Sequence, residues 1–277
     1  TDETCLDKIM EMKYGSSTHC SACGTATKYH RITKRRAYAC QNCGHHIYPC
    51  VGTPFEKSRT SLQKWFFAMY LFTASKNGVS AKELERQLGV TYKTAWRMAH
   101  ELRKLMANAD DNGPLSGHVE IDETYIGGYK RGGQGGQGKA IVFGMVERGG
   151  SVRAGPIPHT RAKIVQPIIA RNVQRGTMIS TDEHRAYTTL KKYGYIHGTV
   201  RHELKEYVSG IHHTNSIEGY WSQLKRSIRG THVHVSPKHL WKYVSEFSYR
   251  YNMREEDTAT IFHVLVLTLR QPHLAEN

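Results

Sequence analysis

Beyond residue 50 the sequence contains no cysteine, and nowhere in its 277 residues is there an apolar run long enough to span a bilayer. The second absence excludes a helical channel or transporter. No signal-peptide pattern opens the chain either, which predicts a cytoplasmic, DNA-accessible location, and the missing initiator Met points to a trimmed or engineered start. Acids are also scarce: Asp plus Glu number 24 against 39 Lys plus Arg, a formal charge of +15 that favours polyanionic partners, nucleic acid first. A merely basic, solvated surface gives the same count. No internal repeat or low-complexity segment is visible, and the length suffices for a full core and more than one domain.

All six cysteines fall in the first fifth of the chain, and four of them form Cys20-x2-Cys23 and Cys40-x2-Cys43 with sixteen residues between the pairs. That is the spacing of a four-thiolate zinc ribbon, in which each short loop presents two sulfurs to one tetrahedral ion. Gly24 and Gly44 follow the second Cys of each pair and let the backbone turn. A chain without secretion features stays in a reducing compartment, which favours structural Zn2+ over disulfides. His45, His46 and Cys50 lie close behind as substitute ligands or as ordinary surface and core residues. The ribbon is expected over 1–57.

Residues 58–107 read as helical. Leu62, Trp65, Phe66, Phe67, Met69, Tyr70, Leu71 and Phe72 predict a helix too apolar to be exposed on any side, hence a buried strut. Two further helices follow. Ser80 and Glu83 form a capping box for the first, Gly89 supplies the turn, and Thr91 caps the second. This is the pattern of a helix-turn-helix whose second helix puts Tyr92, Lys93, Thr94 and Arg97 near a major groove. A plain helical hairpin has the same apolar spacing.

The polar stretch 108–117 reads as a linker, and a third domain is expected over 108–277. It opens with the strand Val119 to Ile126, where the carboxylate Asp122 sits among apolar residues. An acid there is expensive to desolvate and should be paired, hydrogen-bonded or bound to a cation. The glycine-rich basic stretch 129–139, with Lys130 and Arg131, lacks P-loop spacing and reads as a hairpin tip near DNA backbone or as a solvated loop. Strands over 140–147 and 151–157 complete three antiparallel strands. A helix over 163–173, interrupted by Pro167, crosses to the strand 177–181, and the right-handed crossover rule allows that strand to pair in parallel with the first. Asp122 and Asp182 then project from adjacent strands. Residues 184–193 read as a short helix, 194–206 as loop or edge strand, 216–229 as a helix, and 236–252 as a helix with Trp241, Val244, Phe247 and Tyr251 on its buried face.

Each acid also has a structural explanation: an Arg partner for Asp122, a helix cap for Asp182, and a capping box for Asn215 with Glu218. From Glu218, however, Ser222, Lys225 and Arg229 share one helix face, and a carboxylate followed by cations suits phosphodiester chemistry.

The ribbon, the segment from Gly52-Thr-Pro-Phe to Trp65, Val119-Glu-Ile-Asp-Glu-Thr-Tyr-Ile-Gly-Gly128 and His213-Thr-Asn-Ser-Ile-Glu-Gly-Tyr-Trp221 together resemble the IS1595 (ISXO2-like) insertion-sequence transposases of the DDE type. The resemblance implies a multidomain α+β protein: zinc ribbon, helix-turn-helix, and a ribonuclease-H-like α/β catalytic domain with a mixed sheet. It implies a triad of Asp122, Asp182 and Glu218 holding Mg2+ or Mn2+, with Lys225 beside it, and cleavage and transfer of DNA strands in a bacterial, nucleoid-associated setting. Many members carry Asn at the third position, which here corresponds to Asn215; Lys225, seven residues beyond Glu218, favours Glu218. Double-stranded DNA, as transposon ends and as target, is the implied partner, with a homodimer or larger assembly on it. Two other functions share these features, a DNA-binding regulator without chemistry and a nuclease that cleaves without joining.

Overall fold

The computed structural model describes residues 1–15, 18–109, 113–127, 138–200 and 210–270. The chain divides into two compact units, Thr1–Ala109 with Glu256–Asn277, and Asp110–Glu255. Among the described residues, no helix is long and apolar enough to cross a membrane.

The first unit opens with helix α1 (Asp2–Tyr14) and five short strands. Of these, β1 (Thr18–His19) pairs with β2 (Ala26–Thr27), and β3 (Tyr29–Arg31), β4 (Tyr38–Cys40) and β5 (His46–Ile47) form a second antiparallel sheet. Helix α2 (Leu62–Ala74) starts at Ser61, whose hydroxyl accepts from the amide of Lys64, and buries Leu62, Trp65, Ala68, Met69 and Phe72 at helical spacing. The expected all-round burial is not found: Phe67 and Tyr70 are 42% and 49% exposed and stack on each other with ring planes 14° apart. Neighbouring helices cover only part of α2, and these two rings fall on the open side. One of those neighbours is α8 (Thr258–Leu267), whose Phe262 ring lies 6.4 Å from that of Phe66. The last described helix of the chain therefore packs in this unit, although the sequence grouped it with the residues after 108.

Helices α3 (Ala81–Leu88) and α4 (Tyr92–Asn108) meet at Gly89, whose left-handed backbone (φ 57°, ψ 47°) is the conformation glycine adopts without Cβ strain. Ser80 Oγ accepts from the Glu83 amide at 3.1 Å, but the Glu83 carboxylate turns to Arg86 and Gln87, so the expected capping box is half made.

The second unit is a sheet with helices on both faces. Strands β6 (His118–Ile126), β7 (Ala140–Glu147) and β8 (Val152–Ile157) form the expected antiparallel meander. Helix α5 (Ala162–Asn172) contains Pro167 without ending there, and it leads to β9 (Met178–Thr181), which pairs in parallel with β6. Two single 3-10 turns, Arg185–Tyr187 and Leu190–Tyr193, stand where one short helix was expected, and β10 (Ile196–Thr199) adds a parallel edge. The order β10-β9-β6-β7-β8 is a mixed sheet. Strand side chains alternate between faces. Val119, Ile121, Phe143 and Met145 meet Val165 and Ile169 of α5 on one side. Val142, Val146 and Val152 meet α6 (Asn215–Ser227) and α7 (Leu240–Asn252) on the other, through Ile217, Leu224, Val244 and Phe247.

Candidate active site

In β6 the even positions face α6, and they include two acids, Glu120 and Asp122. The pairing His118↔Met178 sets the register of β6 against β9, and Asp122 and Asp182 each lie four residues further on. Asp122 is the middle residue of β6 and Asp182 is the residue directly after β9, so the register carried forward sets the two acids level. Burial pushes the Asp122 carboxyl up to about 7, and the charges of Glu123 and Asp182 push the same way. Against them act the Glu123 amide and the indole Nε1 of Trp221, which donates to Asp122 Oδ2 at 3.0 Å. Glu123 is itself raised, first by burial and then by the charge of Asp182, although the Tyr187 hydroxyl donates to its Oε2 at 2.5 Å. Asp182 Oδ1 accepts from the His184 amide at 3.0 Å, so the capping role considered from sequence is present beside the electrostatic one. Three acids with few donors leave surplus negative charge around Asp122, although Glu123 points to the other face of the sheet with Tyr187 and, among the described residues, these acids do not form a group with ligand atoms within 4.8 Å of one another.

The Trp221 ring reaches Asp122 only because the residue opposite Asp122 on β7 is Gly144. A Cβ there would lie 2.6 Å from Trp221 Cη2. The glycine is required by close approach.

Glu120 has a different environment. It is fully buried, and it accepts from Arg148 Nε at 2.7 Å, from the amides of Ser216 and Ile217 at 2.7 and 3.1 Å, and from Ser216 Oγ at 3.0 Å, with His213 Nδ1 at 3.1 Å. The free amides at the start of α6 are thus satisfied from β6, and Thr214 at the N-cap position makes no side-chain cap bond. Arg148 continues to the carbonyls of Ile211 and His213, fixing the chain that enters α6. The sequence reading did not single out Glu120. The visible signal was a second acid two positions before Asp122 on the same strand face.

Asn215 and Glu218 lie in the first turn of α6, both exposed, and Glu218 Oε1 accepts from the Thr214 hydroxyl at 3.0 Å. The acids whose charges shift Asp122 are Glu123 and Asp182, not Glu218. Lys225, half-buried two turns along the helix, is within electrostatic reach of Asp122; its burial and the charges of Arg229 and Lys139 lower its pKa. The structure thus places Asp122 within electrostatic reach of Asp182 on one side and Lys225 on the other. Glu218 and Asn215 sit at the near end of the same helix without closing on them.

Among the described residues, one group of Cys, His, Asp or Glu has its ligand atoms within 4.8 Å of one another: Cys20, Cys23, Cys40 and Cys43. Cys20 and Cys43 sulfurs are 3.6 Å apart, those of Cys23 and Cys40 4.0 Å. A tetrahedral zinc with bonds of about 2.3 Å spaces its sulfurs by roughly 3.8 Å, so the four thiols fit that ion. The two loops are built alike: the Gly24 amide donates to Cys20 O and the Gly44 amide to Cys40 O, with both glycines at positive φ. The Cys23 amide, above all, holds the Cys20 thiol down to about 6, favouring the thiolate that binds metal. His45, His46 and Cys50 are not part of the group.

On α4, Tyr92, Lys93, Trp96 and Arg97 are exposed on one side, while Thr94 is half-buried and hydrogen-bonds the Thr91 hydroxyl. Arg97 also donates to Ser58 Oγ at 3.2 Å and lies over the Trp65 ring, and Lys82 lies over the Tyr92 ring. Lys130 and Arg131 lie outside the described residues.

The ISXO2-like transposase domain matches residues 114–252, and the transposase zinc-ribbon domain matches residues 1–46. An uncharacterized protein in the transposable element ISH50 of Halobacterium salinarum is 26% identical over 264 residues, covering 87% of this chain and 88% of that protein. Among solved structures, the catalytic core domain of BIV integrase aligns at 18% identity over 48% of this chain and 82% of its own, with a TM-score of 0.34. The Mos1 transposase paired-end complex with left transposon end aligns at 12% identity over 71% and 78%, with a TM-score of 0.22.

Proposed function

The chain belongs to the IS1595 (ISXO2-like) transposase family, and from that premise we propose that it cuts and joins DNA strands by metal-dependent phosphoryl transfer at Asp122 and Asp182. The observation that carries the proposal is the pair of acids set level by the parallel pairing of β6 with β9, Asp122 half-buried within β6 and Asp182 directly after β9, with the Asp122 carboxyl pushed up to about 7, first by desolvation and then by the charges of Glu123 and Asp182. Asp122 and Asp182 hold divalent cation, Mg2+ in the ordinary case. When bound, the cations lower the pKa of the attacking hydroxyl and stabilise the leaving oxygen. Trp221 fixes one oxygen of Asp122, leaving the other for metal. Lys225 neutralises charge on the phosphate that lies over Asp122.

Glu218 is the third acid of this reading, exposed in the first turn of α6 at the start of the helix face that continues through Ser222 to Lys225. Its carboxylate is a stronger ligand for a hard cation than the neutral amide of Asn215. The cysteine group holds structural zinc. Helices α3 and α4 act as a helix-turn-helix on transposon-end DNA, with Tyr92, Lys93, Thr94 and Arg97 as contacts and Thr91 as the cap of the second helix. Two or more chains act together on two ends.

The test is strand cleavage and joining of an end-containing duplex with Mg2+, comparing Asp122→Asn, Glu218→Gln and Asn215→Ala. Asp122→Asn should lose activity by at least about a thousandfold while binding DNA as the parent does, since the loss falls on charge stabilised in the transition state. Cleavage by Asp122→Asn at the parental rate would end the two-carboxylate reading. Full activity in Glu218→Gln with none in Asn215→Ala would transfer the third role to the amide. Cleavage without joining would leave a nuclease.

A further inference from the structure

Helix α6 does not stop at Ser227. It runs into a π-helical turn, Ile228–His232, and then into Val233 at φ 61°, ψ −54°. The amide of His234 donates to the carbonyl of His232 at 2.6 Å across it, which makes Val233 the centre of a γ-turn of the rare, strained hand. A β-branched residue at positive φ is an outlier, and such strain gathers at functional sites. Nothing buries this side chain in return, since Val233 is 80% exposed.

The turn is one wall of a cavity of about 280 Å³, whose other walls include Tyr125 near the end of β6 and Lys225, Arg229 and His234. Among the described residues, no carboxylate lines it. Lys139 and Arg229 both act on Lys225, so three cations converge where Asp122 is the acid in reach. Tyr125, 44% exposed, and Val233 add apolar surface to this basic wall. Cations beside an exposed aromatic suit a phosphate that carries a flat ring. The volume is close to the smallest sites that hold a small molecule, roughly 300 Å³, and admits one nucleotide but not a duplex.

We propose that this cavity is a subsite for one unpaired nucleotide of the DNA strand next to the bond cut at Asp122. Lys225 and Arg229 hold its phosphate, Tyr125 takes the base, and Val233 enters the gap left in the stack as an apolar wedge. The inference rests on the strand-cutting reading above and adds to it a requirement for an opened base pair.

The experiment uses the full chain, with two probes of one sequence, a blunt duplex and a duplex ending in a short unpaired strand that carries 5-iododeoxyuridine. Irradiation should crosslink one unpaired position to the peptide containing Tyr125. The parent should prefer the unpaired end by about tenfold, within what one base stacked on an aromatic ring contributes, and Tyr125→Ala and Val233→Gly should lose that preference. Glycine takes the Val233 backbone conformation without strain, so this variant should melt no lower than the parent and its loss cannot be misfolding. Equal preference in parent and both variants, or crosslinks only outside the Tyr125 peptide, would overturn the subsite. If that occurs in a chain that still cuts DNA, the transposase reading stands without it. If the crosslink and preference appear in a chain that cuts under no condition, the subsite stands and the reading falls.

Discussion

Glu120 and Asp122 leave the same face of one strand two residues apart, and the fold treats them in opposite ways. Glu120 is enclosed by an arginine, two backbone amides, a hydroxyl and a histidine. Asp122 has an indole and one amide, and two further acids beside it. A buried carboxylate with every lone pair met is a structural tie, whereas one left short of donors among like charges is a place for a cation. The difference separates what holds α6 in place from what uses it.

The comparison breaks most visibly at Glu120. Glu120→Ala strips Arg148 of its buried partner and uncaps α6, and should cost roughly 3–5 kcal/mol of unfolding free energy, read from urea denaturation. Loss of only a few tenths of a kcal/mol would mean that the network is ornamental. Gly144→Ala should come next, at about 1–3 kcal/mol, because its Cβ drives Trp221 off the sheet and away from Asp122. Trp221→Phe is the smallest change. It keeps an aromatic ring and removes the indole donor to Asp122, so the pH midpoint of Asp122 protonation, followed by carboxyl chemical shift, should rise by about one unit, the equivalent of one hydrogen bond to a charged group. An unmoved midpoint would show that the indole contributes nothing to the charge balance.

How much of this was legible in the sequence depended on distance along the chain. The ribbon was readable because all its ligands and both turning glycines lie within one short segment whose spacing follows from tetrahedral geometry. The caps at Ser80 and Thr91 are equally local, although the half-made capping box shows that the Glu83 carboxylate, with Arg86 and Gln87 one turn along the helix, accepts from both of them instead of from the cap amide. The parallel pairing of β6 with β9, and with it the meeting of Asp122 and Asp182, followed from the handedness of a strand-helix-strand crossover. Glu120 was not legible, because its chief partner amide, that of Ser216, is 96 residues away and no spacing rule links them. Gly144 looked like any glycine in a strand until a ring from another element filled its place. Phe67 and Tyr70 failed in the other direction: the composition of α2 predicted burial, but burial depends on how many neighbours a helix has.

The charge imbalance at Asp122 gives the most direct test. Its carboxyl, raised from 3.8 to about 7, holds a proton in the folded chain at pH values where the unfolded chain has released it. Stability therefore falls as pH rises from about 4 to about 7 and stays low above that. Asp122→Asn removes the cost, and at pH 8 it should be more stable than the parent by roughly 2–4 kcal/mol when the only divalent ion present is ribbon zinc. Cation bound by the parent should then narrow the gap as Mg2+ is added. The measurement is the thermal midpoint of both proteins at pH 8 across a Mg2+ titration. The account predicts that Asp122→Asn melts higher in the absence of Mg2+ and is unmoved by it, while the parent climbs. A variant that melts lower than the parent without Mg2+, or two midpoints that respond alike to the ion, would contradict it.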